Sequence, residues 1–300
     1  MTNVSVSLAE AADKYPDADA LVCDDTTTSY SALGSDVARF ADYLIEGGLR
    51  RGDRVGVMLP NGPEFTVVFY GAMHAGGVVV PLNPALHARA VEFYLTITDA
   101  RMLFVTPRHA IASTVAAVTA GTQPVEIGRH GIERLTAGFP GRTEPARQHA
   151  SDAGVVFPTA ETAGAHTVAL SHGELVGRAA TAKRSLSLGQ NDVVMGCLPM
   201  SERLGITCGL LAAVSSGATL VLPSFDAALD PATALETIAA ERVTVFEGVP
   251  AMYAAMLDAA QHYDEDFSSL RVGVSAGALP VDVSRRFQDR FGCALMNAEK

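Results

Sequence analysis

Residues 53–83 read DRVGVMLPNGPEFTVVFYGAMHAGGVVVPLN, and their pattern indicates the fold class. The run DRVGVML predicts a β-strand, Pro63 predicts the first turn of a helix, and the pair Gly76 and Gly77 predicts its end. The run GGVVVPLN then predicts a second strand. Two apolar, β-branched strands joined by a helix are typical of a parallel sheet covered by helices. The stretch therefore predicts an α/β fold.

The same alternation of strands and helices continues on both sides of this stretch. In YSALGSDVARFADYLIEGG (residues 30–48) apolar residues recur at helical spacing before two glycines. Residues 63–75, 228–241 and 250–261 predict further helices. Residues 110–151 are rich in Gly, Pro, Arg and Thr, and they predict a surface connection with one or two small elements. Further strands are predicted at ALVC, RMLFVTP, AGVVFPT, DVVMGCLP, ATLVLP, VTVFEGVP and LRVGVSAG.

The composition limits the class of protein. With 300 residues the chain is long enough for about two domains or for one large α/β unit. An apolar fraction of 48% and a charged fraction of 18% exclude intrinsic disorder. The net charge is −11, from 22 Lys and Arg against 33 Asp and Glu. Because no cluster of Lys or Arg could attract a phosphate backbone, nucleic acid is excluded as a partner.

Two segments bear on the location of the protein. Residues 1–20 lack a basic region followed by an apolar region, so we expect no secretory signal and a cytoplasmic protein. Residues 205–223 carry no charge and are nearly long enough to cross a bilayer. However, Ser215, Ser216 and Gly217 divide them into a helix and a strand. We therefore expect no membrane span.

No metal site or dithiol site is predicted. The cysteines include no C-x-x-C pair, and reduced, mostly buried thiols are expected. They are Cys23, Cys197, Cys208 and Cys293. His166 and His172, with Glu161 and Glu174 nearby, form no recognisable set of ligands. The chain also lacks G-x-G-x-x-G and G-x-x-x-x-G-K-[ST], the usual markers of dinucleotide and phosphate-loop sites.

The segment GVSAG (residues 273–277) fits G-x-S-x-G, the nucleophile elbow of α/β-hydrolases, with Ser275 as the nucleophile. In that fold the histidine follows the serine in the chain, yet the last histidine here is His262. The next helix is predicted to begin near Pro280, which is too far from Ser275 for an elbow. A serine hydrolase is one hypothesis, and a tight turn after a strand is the other.

Four longer segments together point to one family. They are TTTSYSALGSDVARFADYLIEGGLRRGDRVGVMLPNGPEFTVVFYGAMHAGGVVVPLNP, CLPMSERLGITCGLLAAVSSGATLVLPSFD, VTVFEGVPAMYAAML and SSLRVGVSAGALPVDVSRRFQDRFG. In order, spacing and residue type the chain resembles the N-terminal part of the adenylate-forming (AMP-binding) superfamily, and in particular bacterial fatty-acyl-CoA ligases, or acyl-CoA synthetases. Such enzymes join a carboxylate to AMP using Mg-ATP and then pass the acyl group to coenzyme A or a carrier thiol.

The resemblance implies an architecture and a ligand site. The fold would be two packed, doubly wound subdomains with mostly parallel sheets, one from residues 49–171 and the other from residues 1–48 and 172–300. A ligand would lie in the cleft bordered by residues 159–167 and 275–278. The residues that the resemblance assigns to cofactor binding are Thr159, Thr162, Ser275, Ala276, Gly277 and Ala278.

The phosphate loop of the family is altered here. Relatives read Y-T-S-G-T-T-G-x-P-K-G, and the same register in this chain reads FPTAETAGAHT (residues 157–167). Two threonine hydroxyls are kept, but Ala160 and Ala163 replace glycines where the backbone approaches phosphate, and His166 replaces the lysine. Glu161 adds a carboxylate. Two unit charges about 4 Å apart repel by roughly 4 kcal/mol, or about a thousandfold in affinity. We expect the binding of ATP and Mg²⁺ to be weak or lost.

Two further departures concern the acid and the end of the chain. Relatives read L-P-x-F-H-x-x-G at the acyl entrance, whereas residues 198–205 read LPMSERLG, with Ser201 and Glu202 in place of the aromatic-His pair. The deeper wall, residues 205–214, stays apolar. After Cys293 relatives continue into N-x-Y-G-x-T-E and then into a small C-terminal domain that bears the catalytic lysine. This sequence has neither, so we assign no catalytic residue and expect a truncated relative impaired in adenylation.

Three functions are open at this point. The first is a degenerate acyl-CoA ligase homologue, a pseudoenzyme that acts as a binding or partner-docking module. The second is a working fatty-acyl-CoA ligase fragment completed by another segment. The third is a serine hydrolase that uses Ser275. Residues 293–296 predict an exposed strand edge, and hence a homodimer or a partner protein.

Overall fold

A computed structural model describes residues 2–128, 130–141, 144–161, 164–223, 230–263 and 265–298. The chain forms two compact units, each with one mostly parallel sheet. Unit 1 comprises Met1–Asp17, Tyr30–Arg178 and Met200–Arg203. Unit 2 comprises Ala18–Ser29, Ala179–Pro199 and Leu204–Lys300. The predicted α/β fold with mostly parallel sheets is confirmed.

The elements alternate along the chain as a parallel α/β fold requires. The strands are β1 (Asp19–Cys23), β2 (Thr26–Ser29), β3 (Arg54–Met58), β4 (Val78–Pro81), β5 (Ala100–Val105), β6 (Gln123–Glu126), β7 (Ala153–Glu161), β8 (Gly164–Ser171), β9 (Val193–Gly196), β10 (Thr219–Val221), β11 (Val245–Gly248), β12 (Val272–Ser275) and β13 (Ala294–Asn297). The α-helices are α1 (Ser5–Lys14), α2 (Tyr30–Glu46), α3 (Pro63–His74), α4 (Ala88–Thr98), α5 (Pro107–Thr119), α6 (Gly131–Thr136), α7 (His172–Ser185), α8 (Leu211–Ser216), α9 (Pro231–Ala240), α10 (Pro250–Ala259) and α11 (Val281–Phe291). A π-helix spans Gly205–Leu210, and a 3₁₀-helix spans Ala260–His262.

Unit 1 is built on a sheet with the strand order β6-β5-β3-β4-β7-β8. The pairs are parallel except for β7 and β8, which run antiparallel. Residues 53–83 include β3, α3 and β4, with Val55 opposite Val79. Both of these side chains are fully buried, as predicted for a parallel sheet covered by helices.

Helix α2 packs against α3 within unit 1. Phe40 of α2 lies edge-on to Phe104 of β5, with ring centroids 5.3 Å apart. A Cβ atom at Gly71 of α3 would lie 2.7 Å from Phe40 Cδ1, so the two helices approach closely only because residue 71 is glycine. The expected boundary placed residues 1–48 in the second subdomain. Here α2 belongs to unit 1, because its apolar face is buried against α3 and β5.

Unit 2 is built on a sheet with the strand order β13-β12-β11-β9-β10-β1-β2. The pairs are parallel except for β1 and β2, which run antiparallel. Among the described residues, β13 is therefore the outer strand on one side of the sheet. The carboxyl ends of β9, β11 and β12 lie side by side, with Glu247 opposite Gly196 and Gly248 opposite Ser275.

The core of unit 2 lies between this sheet and helices α9, α10 and α11. The hydroxyl of Tyr253 donates to the carbonyl oxygen of Val274 at 2.8 Å and lies 3.1 Å from that of Phe246. The Tyr253 ring also meets the rings of Phe246 and Phe287 edge to face. Because side chains alternate along a strand, Phe246 on this face puts Glu247 on the opposite face.

Some elements differ from the sequence predictions. Helix α5 begins at Pro107 and includes residues that were assigned to a surface connection. It buries only small side chains, while its larger apolar residues, Ile111, Val115 and Val118, are exposed. The buried side chains are Ala110, Ser113, Ala116 and Ala117. Helix α1 and strands β2, β6 and β8 are not among the predicted elements. Strands β2 and β6 are short, polar edge strands, and β8 begins within residues 157–167, the expected phosphate loop.

The uncharged segment 205–223 folds as predicted into a helix and a strand. The π-helix runs into α8, Gly217 ends α8 with a φ of +73°, and β10 follows. A positive φ of this kind favours glycine, and it is the usual way to end a helix. In the part of the chain that the structure describes, no helix combines the length and apolarity needed to cross a bilayer.

Candidate functional site

The segment expected to hold phosphates is a β-hairpin in unit 1. Strands β7 and β8 pair with Thr159 opposite His166 and Glu161 opposite Gly164, so the ladder extends to the tip of the hairpin. A backbone amide that donates across this ladder is not available to a phosphate. Thr162, which the resemblance assigns to cofactor binding, lies outside the described residues.

The residues along the hairpin do not fit a triphosphate. Residues 157–171 contain no Lys or Arg, and Glu161 is the acidic residue among them. Triphosphate sites need cations or converging N–H donors, and a carboxylate acts against both. Among the described residues, no group of three or more His, Cys, Asp or Glu could hold a metal ion. Residues 157–171 thus supply one carboxylate and neither Lys nor Arg to a phosphate.

Two residues next to the hairpin have structural partners. Glu174 Oε2 accepts hydrogen bonds from Ser171 N at 2.8 Å and Ser171 Oγ at 2.7 Å, and Glu174 N donates to Ser171 Oγ at 3.2 Å. This is a capping box at the start of α7, and its hydrogen bonds lower the pKa of Glu174. His172 Nδ1 accepts a hydrogen bond from Val4 N at 3.2 Å, and burial lowers the pKa of His172. Both side chains thus stabilise unit 1.

The other predicted cofactor residues form a loop at the carboxyl end of the sheet in unit 2. Ser275 is fully buried, and its Oγ donates to Gly277 O at 2.9 Å. Ala276 N donates to Gly248 O at 2.9 Å, which ties the loop after β12 to the end of β11. Ala278 is exposed, and Gly277 has a φ of +155° that favours glycine. In open parallel sheets, ligands bind at this edge.

The same geometry argues against a nucleophilic serine. A hydrolase needs the Ser275 hydroxyl to donate to a histidine, whereas here it donates to the carbonyl oxygen of Gly277 at 2.9 Å. Helix α11 begins at Val281, six residues after Ser275, and a nucleophile elbow requires the helix to begin at once. A tight turn after β12, the other of the two hypotheses, fits this geometry.

The segment at the expected acyl entrance falls into two parts. Met200 N donates to Asn61 Oδ1 at 2.8 Å within unit 1, and Ser201 follows with its Oγ buried. Glu202 and Arg203 are both exposed, as expected for charged residues that face water.

Sequence reasoning missed Glu247, the most unusual group of unit 2. Its side chain is fully buried, and within the described part of the chain neither carboxyl oxygen has a hydrogen-bond partner. A Cβ atom at Gly209 of the π-helix would lie 2.9 Å from Glu247 Oε2, so the carboxyl faces that helix directly. Burial raises the pKa of Glu247 to about 8. The only signal in the sequence is an acidic residue inside the apolar run VTVFEGVP.

Comparisons with known proteins agree with this architecture. The family described as AMP-binding enzyme matches residues 8–298. The feruloyl-CoA synthase of an Amycolatopsis species is 31% identical over 276 residues, which cover 88% of this chain and 52% of that protein. The acyl-CoA ligase sidI of Aspergillus fumigatus is 28% identical over 280 residues, covering 83% of this chain and 46% of that protein.

Two solved structures have the same fold. Apo MatB from Rhodopseudomonas palustris superposes with a TM-score of 0.89 at 23% identity, covering 99% of this chain and 59% of that one. A benzoate CoA ligase from Burkholderia xenovorans superposes with a TM-score of 0.89 at 24% identity, covering 99% of this chain and 60% of that one. The chain thus spans about half the length of the curated relatives that it matches. Because the family match covers nearly all of its residues, the chain belongs to the AMP-binding enzyme family and resembles acyl-CoA ligases.

Proposed function

We propose that this chain is an acid-binding, acyl-CoA-ligase-like protein whose own capacity to form acyl adenylates is impaired. Binding of a carboxylic acid is supported by the relatives named above, which are acyl-CoA ligases and synthetases. At the carboxyl edge of the sheet in unit 2, the loop from Ser275 to Ala278 is hydrogen-bonded to the end of β11. In this proposal the protein serves as a binding or partner-docking module.

The observation that carries the proposal is the β7–β8 hairpin. Strand pairing extends to Glu161 and Gly164, and residues 157–171 supply no Lys or Arg. A carboxylate about 4 Å from a phosphate charge opposes binding by roughly 4 kcal/mol at an effective dielectric of 20. At that separation, such a repulsion would weaken Mg-ATP binding by about a thousandfold.

Calorimetry on the purified protein tests the proposal directly. Titration with Mg-ATP is expected to give no binding at micromolar concentrations, and titration with a series of carboxylic acids is expected to give saturable binding. Release of pyrophosphate is then measured with ATP and the acid that binds best. Micromolar affinity for Mg-ATP, or acid-dependent release of pyrophosphate by this polypeptide alone, would contradict the proposal.

A second function is a working acyl-CoA ligase in which another segment supplies the remaining catalytic parts. The observation in its favour is that the chain spans about half of its curated relatives. The test is to purify the protein from its native cells and to measure its intact mass together with its co-purifying proteins. Formation of acyl hydroxamates by that preparation, but not by this polypeptide, would favour the working enzyme.

Strand β13 is where a second copy or a partner protein would add. It is the outer strand of the sheet in the described part of unit 2, and Met296 on it is 37% exposed. An outer strand presents unpaired amide and carbonyl groups. Light scattering at high protein concentration is expected to give twice the monomer mass, and a monomer mass would count against self-association.

The proposed location remains the cytoplasm. The four cysteines, all within the described part of the chain, form no disulfide, and Cys197 and Cys293 are buried. Cysteines that form no disulfide fit a reducing compartment.

A further inference from the structure

Glu247 lies at the position in unit 2 where the strand connections change direction. Strand β9 connects through the π-helix and α8 to β10 on one side, while β11 connects through α10 to β12 on the other side. Strands β9 and β11 are neighbours, with Gly196 opposite Glu247. Ligands of open parallel sheets bind at such a switch point, beyond the carboxyl ends of the strands.

The carboxyl of Glu247 has no hydrogen-bond partner among the residues that the structure describes. Both of its oxygens are buried. Leaving a buried polar group unsatisfied is strongly unfavourable, so such groups in native proteins call for an explanation, and a bound ligand is one. Its neighbours in the sheet, Gly196 and Val274, bring no polar side chain to the same face.

The element that faces Glu247 is irregular. Gly209 belongs to the π-helix, and because it has no side chain the Glu247 carboxyl lies directly next to the helix backbone. π-Helical turns are rare and occur frequently at functional sites. Residues 205–214 are also the apolar wall that the family resemblance places beside the acyl group. Three independent features, namely strand topology, an unsatisfied carboxyl and a π-helix, thus coincide at one residue.

We propose that Glu247 determines the specificity of the acid site by binding a protonated amine carried by the ligand at some distance from its own carboxylate. This inference rests on the proposed acid-binding function. An ammonium group supplies up to three donors and a positive charge, and it satisfies both oxygens of a carboxylate. An unsubstituted fatty acid would leave Glu247 unsatisfied.

A proton balance accompanies the binding of such a ligand. Burial raises the pKa of Glu247 to about 8, so at neutral pH the carboxyl holds its proton. An ammonium group beside it favours the ionised form, and Glu247 then releases its proton to the buffer while the amine keeps its own. Burial, and secondarily the charge of Glu247, raise the pKa of the Cys197 thiol and of the Tyr253 phenol, so both groups stay neutral.

The experiment compares linear acids of four to eight carbons with ω-amino acids of the same lengths by calorimetry at pH 7. At the best length, the amine is expected to improve affinity at least tenfold. Titration in two buffers with different ionisation enthalpies is expected to show release of close to one proton per ligand. The Glu247→Gln variant should lose the preference for the amine and the proton release, while still binding the unsubstituted acid. The Glu241→Gln variant, which alters an exposed residue of the same unit, should behave like the wild type.

The binding results separate the role proposed for Glu247 from acid binding itself. Equal affinity for matched acids with and without the amine overturns it while leaving acid binding intact. Tighter binding of ω-hydroxy acids than of ω-amino acids overturns the assignment of a cation. Binding of no acid at all contradicts both this inference and the proposed function. If Glu247→Gln does not fold, Glu247→Leu takes its place, and a preference for the amine that persists in it overturns the proposal.

Discussion

The carboxyl of Glu247 occupies the space next to Gly209, where a Cβ atom at residue 209 would lie 2.9 Å from Oε2. Because the Glu247 side chain is fully buried, the carboxyl has little room to retreat. We expect Gly209→Ala to destabilise the protein by about 1–2 kcal/mol, despite the higher helix propensity of alanine. In a Glu247→Ala background the same change should be neutral or stabilising. Urea unfolding of the four proteins gives the coupling free energy, and a value near zero would show that the two residues do not crowd each other.

The stability of the protein should fall as pH rises through the range in which Glu247 ionises. The folded-state pKa of Glu247 is raised from 4.5 to about 8, so the stabilisation is complete below pH 4.5 and is lost as pH rises towards 8. At about 1.4 kcal/mol for each pKa unit, the loss is on the order of a few kcal/mol. Glu247→Gln should remove this part of the pH dependence and should be more stable than the wild type at pH 9. Unfolding curves at pH 5, 7 and 9 measure the effect, with Glu241→Gln as the control. Parallel curves for the wild type and Glu247→Gln would contradict the buried, neutral carboxyl.

The π-helix should tolerate no side chain at its first residue. A Cβ atom at Gly205 would lie 2.4 Å from Pro199 O and 2.8 Å from Leu198 O, and these backbone atoms cannot move away as a flexible side chain could. We expect Gly205→Ala to destabilise the protein by about 3 kcal/mol. The matched control is Gly177→Ala in α7, where a Cβ atom would meet nothing within 4 Å. That change should stabilise the protein by about 0.5–1 kcal/mol. Thermal unfolding of both variants measures the two effects, and a Gly205→Ala variant as stable as Gly177→Ala would contradict the prediction.

Ser275 should be structural rather than catalytic. Its buried hydroxyl donates to Gly277 O at 2.9 Å, so Ser275→Ala should lower the stability by about 1 kcal/mol. Any background hydrolysis of a p-nitrophenyl ester by the purified protein should be unchanged in the variant. Loss of esterase activity without loss of fold, checked by circular dichroism, would restore the hydrolase hypothesis.

The strands of the fold could be predicted from the sequence because most of them are buried and apolar. The run GGVVVPLN predicted β4, in which Val79 and Val80 are fully buried. The hydrophobic pattern failed where burial involves small or polar groups: α5 buries alanines and a serine, and β2 is a polar edge strand. It also failed for Glu247, because an acidic residue in a strand usually faces water. Whether Glu247 is buried without a partner depends on its spatial neighbours Gly196, Gly209 and Val274. No local sequence pattern identifies those neighbours.

The tip of the β7–β8 hairpin offers the sharpest test of the phosphate argument. Removal of one negative charge near a bound triphosphate should recover affinity, so Glu161→Thr should tighten Mg-ATP binding by roughly ten- to a thousandfold, up to the 4 kcal/mol of repulsion at 4 Å. Residue 166 is opposite Thr159 in the strand register, and adding His166→Lys should tighten Mg-ATP binding further by supplying a cation. The control Glu46→Thr removes the same charge from an exposed position at the end of α2 and should leave the affinity unchanged. Equal gains in Glu46→Thr and Glu161→Thr would mean that net charge, rather than the position of Glu161, limits ATP binding. No gain in either variant, with the fold intact, would mean that the paired hairpin backbone itself excludes the nucleotide.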